Sequence, residues 1–310
     1  MEVNEEITHE PVLLDEVLAI LKENLSEIGS PQILDGTLGL GGYSEAMLDS
    51  FSEAFVLGTD RDPEALKRSE MRLVRYASGP TPRFAAKRAP FGDIADIARG
   101  DGPFDALGFD FGVSNLQLSD AQRGFSFMHD GPLDMRMDTD GDAMTAAQLL
   151  ANTDANELTR IFRDYGGERY ARQIAARIEA KRKCGEKLET TGDLVALIRD
   201  LLPAPVQRKM GAHPARRVFQ ALRIAVNNEM GEIESLFASL PEAAAPGAVV
   251  VVVSYHSLED RIAKHSLREW EKEKGLGKVL TRHPIQPSEA ETERNYKSRS
   301  AKLRAFRFKV

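Results

Sequence analysis

The stretch QILDGTLGLGG, Gln32 to Gly42, is a short apolar run that ends in an acid and passes directly into a glycine-rich turn, with a helical stretch from Ser44. Strand, turn and helix in that order open a parallel α/β sheet. The same rhythm continues outward. Ala54 to Leu57 is a second buried strand ending at Gly58-Thr59-Asp60, and Pro63 stands at a first helical position before a helix to Arg75. Arg83 to Ala86 and Phe104 to Phe111 are further strands, the latter closing on Asp110 and Gly112. AVVVVVSY, Ala248 to Tyr255, is a β-branched run that suits a central parallel strand covered on both faces, and Lys302 to Val310 alternates and closes the sheet. Strands spaced by helices predict a doubly wound α/β fold.

Between Gly112 and Pro246 the strand rhythm stops. Ala143 to Arg182 and Thr190 to Leu202 read as helical, and Arg217 to Leu240 carries Phe219, Leu222, Val226, Met230, Ile233 and Phe237 on one apolar stripe. The expectation is an all-helical insertion over residues 116–213, set in a discontinuous domain made of residues 1–115 and 214–310.

A chain of 310 residues with 42% hydrophobic and 29% charged residues excludes collagen-like, disordered and membrane-spanning classes. The apolar run Ala248 to Val253 is far short of a membrane helix, and the acidic start Met1 to Glu10 lacks a signal pattern, so a cytoplasmic location is expected. The single cysteine, Cys184, forms no internal disulfide and no zinc cluster, and no metal is expected. His213 has no second ligand at metal-binding spacing and reads as a residue that orders the insertion's return. Net charge is −7, which taken alone argues against a nucleic-acid partner. Its distribution argues the other way. Arg160 to Arg223 and Arg261 to Val310 each carry +8, leaving −23 for the rest of the chain. Two basic blocks in an acidic body fit a polyanion-facing surface, or two helical regions with solvated basic faces.

Gly36, Gly39, Gly41 and Gly42 let backbone amides approach a ligand, and the helix that follows favours an anionic group there. The dinucleotide pattern G-x-G-x-x-G is not satisfied and a P-loop lysine is absent. Asp60, at the end of the second strand, can accept from two ribose hydroxyls. Glycine turn and ribose acid without a pyrophosphate fingerprint favour S-adenosyl-L-methionine over a nicotinamide dinucleotide. The bland alternative is a tight strand-to-helix connection with a capping aspartate.

HEPVLLDEVL from His9, DGTLGLGGYS from Asp35, TDRDPEAL from Thr59, APFGDI from Ala89 and DFGVSNLQLSDAQRGFSFMHDGPLDMRM from Asp110 are followed by YGGERYARQIA, HPARRVFQALRIAVNNEM, SYHSLEDRIAK and SRSAKLRAFRF. In these blocks, in order over nearly the whole chain, the sequence resembles the RsmH (MraW) family of bacterial 16S ribosomal RNA cytosine-N4 methyltransferases. The resemblance implies a Rossmann-like, class I S-adenosylmethionine-dependent methyltransferase sheet with a helical insertion that recognises ribosomal RNA. It implies a small-subunit or late assembly particle as substrate, and leaves monomer and homodimer open. By matching positions it implies cofactor contacts at Gly41, Gly42, Tyr43, Asp60, Phe91, Asp110 and Gln117. Gly41 and Gly42 would receive the methionine carboxylate, Asp60 the ribose, and Phe91 the adenine face.

Three positions depart from the family's usual residues, histidine at Tyr43, serine at Asn115 and phenylalanine at Tyr255. Tyr43 cannot act as an imidazole. Cytosine N4 is a poor nucleophile because its lone pair is delocalised into the ring, so an acceptor for one N4 hydrogen would help aim it. Asp110 is the candidate for that catalytic role, or it serves the cofactor alone. His256 reads as a substrate-side group or as a structural hydrogen-bonding one. Arg169, Arg172, Arg216, Arg217, Arg223, Arg299 and Arg304 are candidate phosphate contacts, with Tyr255 a candidate platform for an exposed cytosine. Two competing readings remain, a methyltransferase for a non-RNA substrate and a cofactor-binding assembly factor without turnover.

Overall fold

Among the described residues, 11–209 and 213–310, a seven-stranded sheet organises the first of two compact units in the computed structural model. The strands are β1 (Gln32–Asp35), β2 (Phe55–Asp60), β3 (Phe84–Arg88), β4 (Phe104–Asp110), β5 (Ala244–Ser254), β6 (Gly277–Val279) and β7 (Lys302–Phe308). Their order is β3-β2-β1-β4-β5-β7-β6, with β7 antiparallel to both of its neighbours and the others parallel. This is the Rossmann-like sheet expected from the strand rhythm. β6 escaped the sequence reading because three residues carry no periodicity.

The valine run has a direct explanation. Val249, Val251 and Val253 enter a core with Ile33, Val56, Ala106 and Leu303 on one face, while Val250 and Val252 join Leu34, Leu57, Leu107 and Phe306 on the other. A strand that feeds two cores has no polar side to show. Helices Leu14–Leu25 and Gly42–Ser50 cover the first face, and Ile94–Asp101 and Ser257–Lys272 the second.

Gly36, directly after β1, has no room for a side chain, since a Cβ there would overlap the Phe109 ring. Gly36→Ala is therefore expected to destabilise the fold by about 1–3 kcal/mol. Urea unfolding followed by circular dichroism measures it, and an unchanged midpoint would contradict the packing.

The second unit, Val113–Glu229, has its own core, built from Leu133, Leu158, Ile174, Leu194 and Leu222 among others. Its far edge lies at Glu229 and not at 213, and the near edge falls after Gly112. The physical reason is that the apolar stripe from Arg217 to Leu240 is two helices, Arg216–Val226 and Glu229–Ala243, parted where Asn228 adopts φ 49°. Val218, Phe219 and Leu222 pack in the insertion's core, whereas Ile233, Leu236 and Phe237 pack on the sheet. The stretch Ala143 to Arg182 likewise resolves into helices Ala146–Asn152, Ala155–Asp164 and Ala171–Lys183. The unusual PLDMRM segment alternates, with every second side chain from Leu133 to Met137 buried and Asp134 and Arg136 half-buried between them. Leu133, Met135 and Met137 enter the core, and the Asn227 amide donates to the Met135 carbonyl at 2.8 Å and accepts from Met137 N at 2.7 Å. Cys184 is exposed at a helix end, and among the described residues no helix is long and apolar enough to cross a membrane.

Candidate active site

Strand pairing brings Asp35, Asp60 and Asp110 to the carboxyl edge of the sheet. β1 lies between β2 and β4, and the connections after β1 and β4 run toward opposite edges of the sheet, the point at which ligands bind in open α/β sheets. The loop after β1 is stitched to both neighbours. Leu38 N donates to the Thr59 carbonyl at 2.9 Å, Gly39 N to Asp60 Oδ2 at 2.8 Å, and Asp110 N to Thr37 Oγ1 at 2.6 Å. Gly39 and Gly41 have φ of 51° and 79°, and a Cβ on Gly41 would sit 3.0 Å from Leu73 Cδ1. Both features require glycine, which accounts for the composition of the turn.

The acids share an environment that resists ionisation. Asp35 is buried, and burial pushes its carboxyl up to about 6 although Ser44 Oγ donates to it at 2.7 Å. Burial raises Asp60 above the ordinary carboxylate range as well, despite amides from Gly39 and Asp62. Asp110 is pushed up to about 8, chiefly by burial, with Asp35 and Glu259 adding like-charge repulsion and a hydrogen bond from Tyr255 opposing it. Its Oδ1 is buried and has no hydrogen-bond partner among the described residues. A cluster of carboxyl groups in this state favours a cationic ligand, which would relieve both desolvation and repulsion.

Of the residues expected to hold the cofactor, Gly41, Gly42, Tyr43, Asp60, Phe91 and Asp110 lie in the sheet unit. Tyr43 follows the glycine turn, and its hydroxyl donates to the Val12 carbonyl, a bond that occupies its one proton. Phe91 sits in the short helix after β3, its ring 5.6 Å from that of Phe111 and 6.4 Å from that of Phe109. Gln117 belongs to the insertion, where it completes a capping box: its Oε1 accepts from Ser114 N at 3.0 Å. Asn115 is the first residue of that helix.

Several polar candidates turn out to be committed elsewhere. His256 caps the helix Ser257–Lys272, with its Nδ1 facing Glu259 N at 3.5 Å and its Nε2 3.0 Å from Glu259 Oε1, which favours the structural role over the substrate-side one. Arg304 is buried and pairs with Asp260 at 2.6 Å, and Arg223 pairs with Glu229 at 2.8 and 2.9 Å. A count of charges along the chain contains no information about such partners. Burial, and after it the charge of the nearby Asp110 carboxyl, hold the Tyr255 hydroxyl well above the ordinary phenol range. Arg169, Arg172, Arg216 and Arg217 are exposed on the insertion, and Arg217 donates to the Gly167 carbonyl at 3.4 Å, so the YGGER loop and the start of the helix Arg216–Val226 are adjacent. Arg299 is exposed and stacks on Tyr296 at 6.0 Å. His213 stacks on Phe127 with ring centroids 4.5 Å apart and contacts Arg199 at 3.0 Å, consistent with ordering the insertion's return.

Sequence reasoning placed Glu259 with His256 and Ser257 at a strand's carboxyl end facing the cleft, but did not single out Asp35 or Thr37 as site residues. Asp35 carried a usable signal, an acid that closes a strand beside glycines. Glu259 Oε2 accepts from Tyr255 N at 2.7 Å and His256 N at 3.1 Å, an arrangement that only the folded turn reveals.

Comparison with known proteins adds relatives to this geometry. Residues 6–309 match the family model described as the MraW methylase family. The chain is 42% identical over 315 aligned positions to "Ribosomal RNA small subunit methyltransferase H" of Beutenbergia cavernae, covering 96% of this chain and 92% of that one. It is 40% identical to the protein of the same name from Heliobacterium modesticaldum, covering 96% and 97%. Among solved structures, N-methyltransferase NodS from Bradyrhizobium japonicum WM9 in complex with S-adenosyl-L-homocysteine aligns at TM-score 0.41 and 9% identity, over 98% of this chain and 91% of that one.

Proposed function

Because the chain belongs to the MraW methylase family, we propose that it transfers the methyl group of S-adenosylmethionine to the exocyclic N4 of a cytidine in the decoding region of 16S ribosomal RNA. The observation that supports this most directly is the pair Asp35 and Asp110 at the carboxyl edge of the sheet beside the glycine turn, where burial raises both acids and Asp110 Oδ1 has no hydrogen-bond partner among the described residues.

The residues fit the donor. The turn from Gly39 to Gly42 bares main chain for its carboxylate, and Asp60, already held by two amides, has lone pairs left for ribose hydroxyls. Phe91 offers a ring to the adenine. Bound S-adenosylmethionine supplies a methyl group on a positively charged sulfur. With a cationic donor held near them, Asp35 and Asp110 would both ionise at lower cost. Asp110 Oδ1 then accepts a hydrogen bond from the cytosine amino group, which favours a pyramidal nitrogen with its lone pair directed at the methyl carbon. Asp110 takes the proton that the amino nitrogen releases once the N–C bond has formed and the methyl's bond to sulfur has broken, that electron pair staying on sulfur in S-adenosylhomocysteine as the leaving group. Tyr43 has no part in that proton transfer, because its hydrogen is held by the Val12 carbonyl.

The insertion carries the RNA contacts in this reading, through Arg169, Arg172, Arg216 and Arg217. Arg304 and Arg223 are withdrawn from that set on account of their carboxylate partners. The substrate is a small subunit or late assembly particle in the cytoplasm. Labelled S-adenosylmethionine is incubated with small subunits from cells lacking the modification, and the labelled nucleotide is mapped. Label in N4-methylcytidine is the expected result, and label elsewhere or none overturns the assignment. Particle binding is expected to weaken with salt by about 0.7 log units per tenfold salt for each phosphate neutralised, and Arg169→Gln with Arg217→Gln to flatten that slope by about 1.4. An unchanged slope in the double variant would remove these arginines from the interface.

A further inference from the structure

We propose that Tyr296 and Arg299 form a contact for ribosomal RNA on the sheet unit itself, in which the Tyr296 ring stacks on an unpaired base and the Arg299 guanidinium takes a phosphate of the same strand. The proposal rests on the reading of ribosomal RNA as the substrate.

Strand register sets this pair at the reacting edge. β7 runs antiparallel to β5 with Leu303 opposite Val253, and Val253 in turn stands opposite Asp110. Leu303 therefore lies about 10 Å from Asp110, two strand spacings across the sheet. The short helix Tyr296–Ser300 leads directly into this end of β7. It is held from within. Ser298 is fully buried, its N donates to the Asn295 carbonyl at 2.9 Å, and Ala301 N donates to the Ser298 carbonyl at 2.7 Å. The preceding helix, Glu289–Arg294, is tied down by Glu291, whose buried carboxylate accepts from Leu13 N at 2.7 Å. A ring presented on a turn fixed in this way loses little freedom when it binds.

Burial separates the side chains that hold the turn from those that it displays. Among the described residues, Tyr296 is the one exposed tyrosine, phenylalanine or tryptophan, with 73% of its surface open. An aromatic that gives so little to the core has a flat face available to a base, and such stacking tolerates any base. The Arg299 guanidinium lies over the ring, 6.0 Å from its centre, and sets a fork of phosphate-matching donors beside the platform. The cations of this basic block divide in two. Asp260 holds Lys302 at 3.0 Å and Arg304 at 2.6 Å, whereas Lys297 and Arg299 form no ion pair among the described residues. The first two are committed inside the protein, and the second two are left to neutralise a polyanion outside it. An acidic protein surface would satisfy the charge alone. A nucleotide offers a flat face and a phosphate together, which is what this pair of side chains fits.

The test is binding of the full chain, free of donor, to small subunits from cells lacking the modification, so the readout does not depend on turnover. Tyr296→Ala is expected to weaken binding by about tenfold with the salt slope unchanged, and Tyr296→Phe, which keeps the ring, to restore it to within about threefold of the parent. Arg299→Gln is expected to flatten the slope by about 0.7 log units per tenfold salt. Tyr296→p-azidophenylalanine, irradiated on the particle, is expected to cross-link to 16S ribosomal RNA in the decoding region. Cross-linking to a ribosomal protein instead, or Tyr296→Ala that binds as the parent does, overturns the contact and leaves the methylation reading in place. A parent chain that binds no small subunit overturns the ribosomal RNA reading and this contact with it.

Discussion

Asp110→Asn is expected to lower kcat by about 10²–10³-fold at saturating S-adenosylmethionine, with a smaller effect on donor affinity. Asparagine keeps the size of the side chain and an acceptor oxygen but cannot take up the amino proton, so the loss falls on turnover. Donor binding is measured by calorimetry on ligand-free protein and turnover on unmodified small subunits; unchanged turnover would reject the role. The same variant is expected to be more stable than the parent. The folded carboxyl titrates at about 8 against an ordinary value of 3.8. The stability that comes from protonating it is therefore complete below about 3.8 and lost as pH rises toward 8. An amide does not titrate. The variant's advantage in unfolding free energy, measured by urea unfolding, should grow from pH 4 to pH 8 and then level off, reaching on the order of a few kcal/mol. A constant difference across that range would mean that the carboxyl is not shifted. A residue that costs stability and supports turnover is the usual signature of a functional acid.

Asp60→Ala is expected to weaken S-adenosylmethionine binding by about 100-fold. Two losses combine. The ribose hydroxyls lose a charged acceptor, and the amides of Gly39 and Asp62, which donate to its two oxygens at 2.8 and 2.9 Å, lose theirs. The glycine turn thereby loses a tie to β2 and must be ordered anew when the donor binds. Asp60→Asn, which retains one acceptor oxygen, should fall between parent and alanine. Binding within about threefold of the parent for both variants would show that the carboxylate does not grip the ligand. Circular dichroism separates this from a folding defect.

Much of the architecture was legible because it rests on local patterns. A run such as Ala248 to Val253 has one plausible home, between two apolar layers, and the structure divides its side chains between two cores. The glycine turn and the acids that close β1, β2 and β4 were legible for the same reason: they announce a close approach and a strand end within a few residues. The stripe from Phe219 to Phe237 misled because the spacing from Val226 to Met230 is still four across the break at Asn228, so periodicity alone cannot detect the change of core. Partnerships between distant segments were illegible for a deeper reason. Nothing near Arg304 says that it meets Asp260, and nothing near Asp110 says that its backbone N meets the Thr37 hydroxyl. Those contacts are produced by strand register, which exists only once the sheet has formed.

The position of β7 between β5 and β6 governs the order in which a ribosome can deliver a finished molecule. Residues 113–229 emerge as one uninterrupted run and can complete their own interior while translation continues. The sheet cannot. Until residues 302–308 leave the exit tunnel, β5 has no antiparallel neighbour and β6 has nothing to pair with, so a growing chain presents a bare strand flank rich in valine. Nascent chains stalled between Ser254 and Lys302 should therefore be the ones that holdase chaperones engage most strongly.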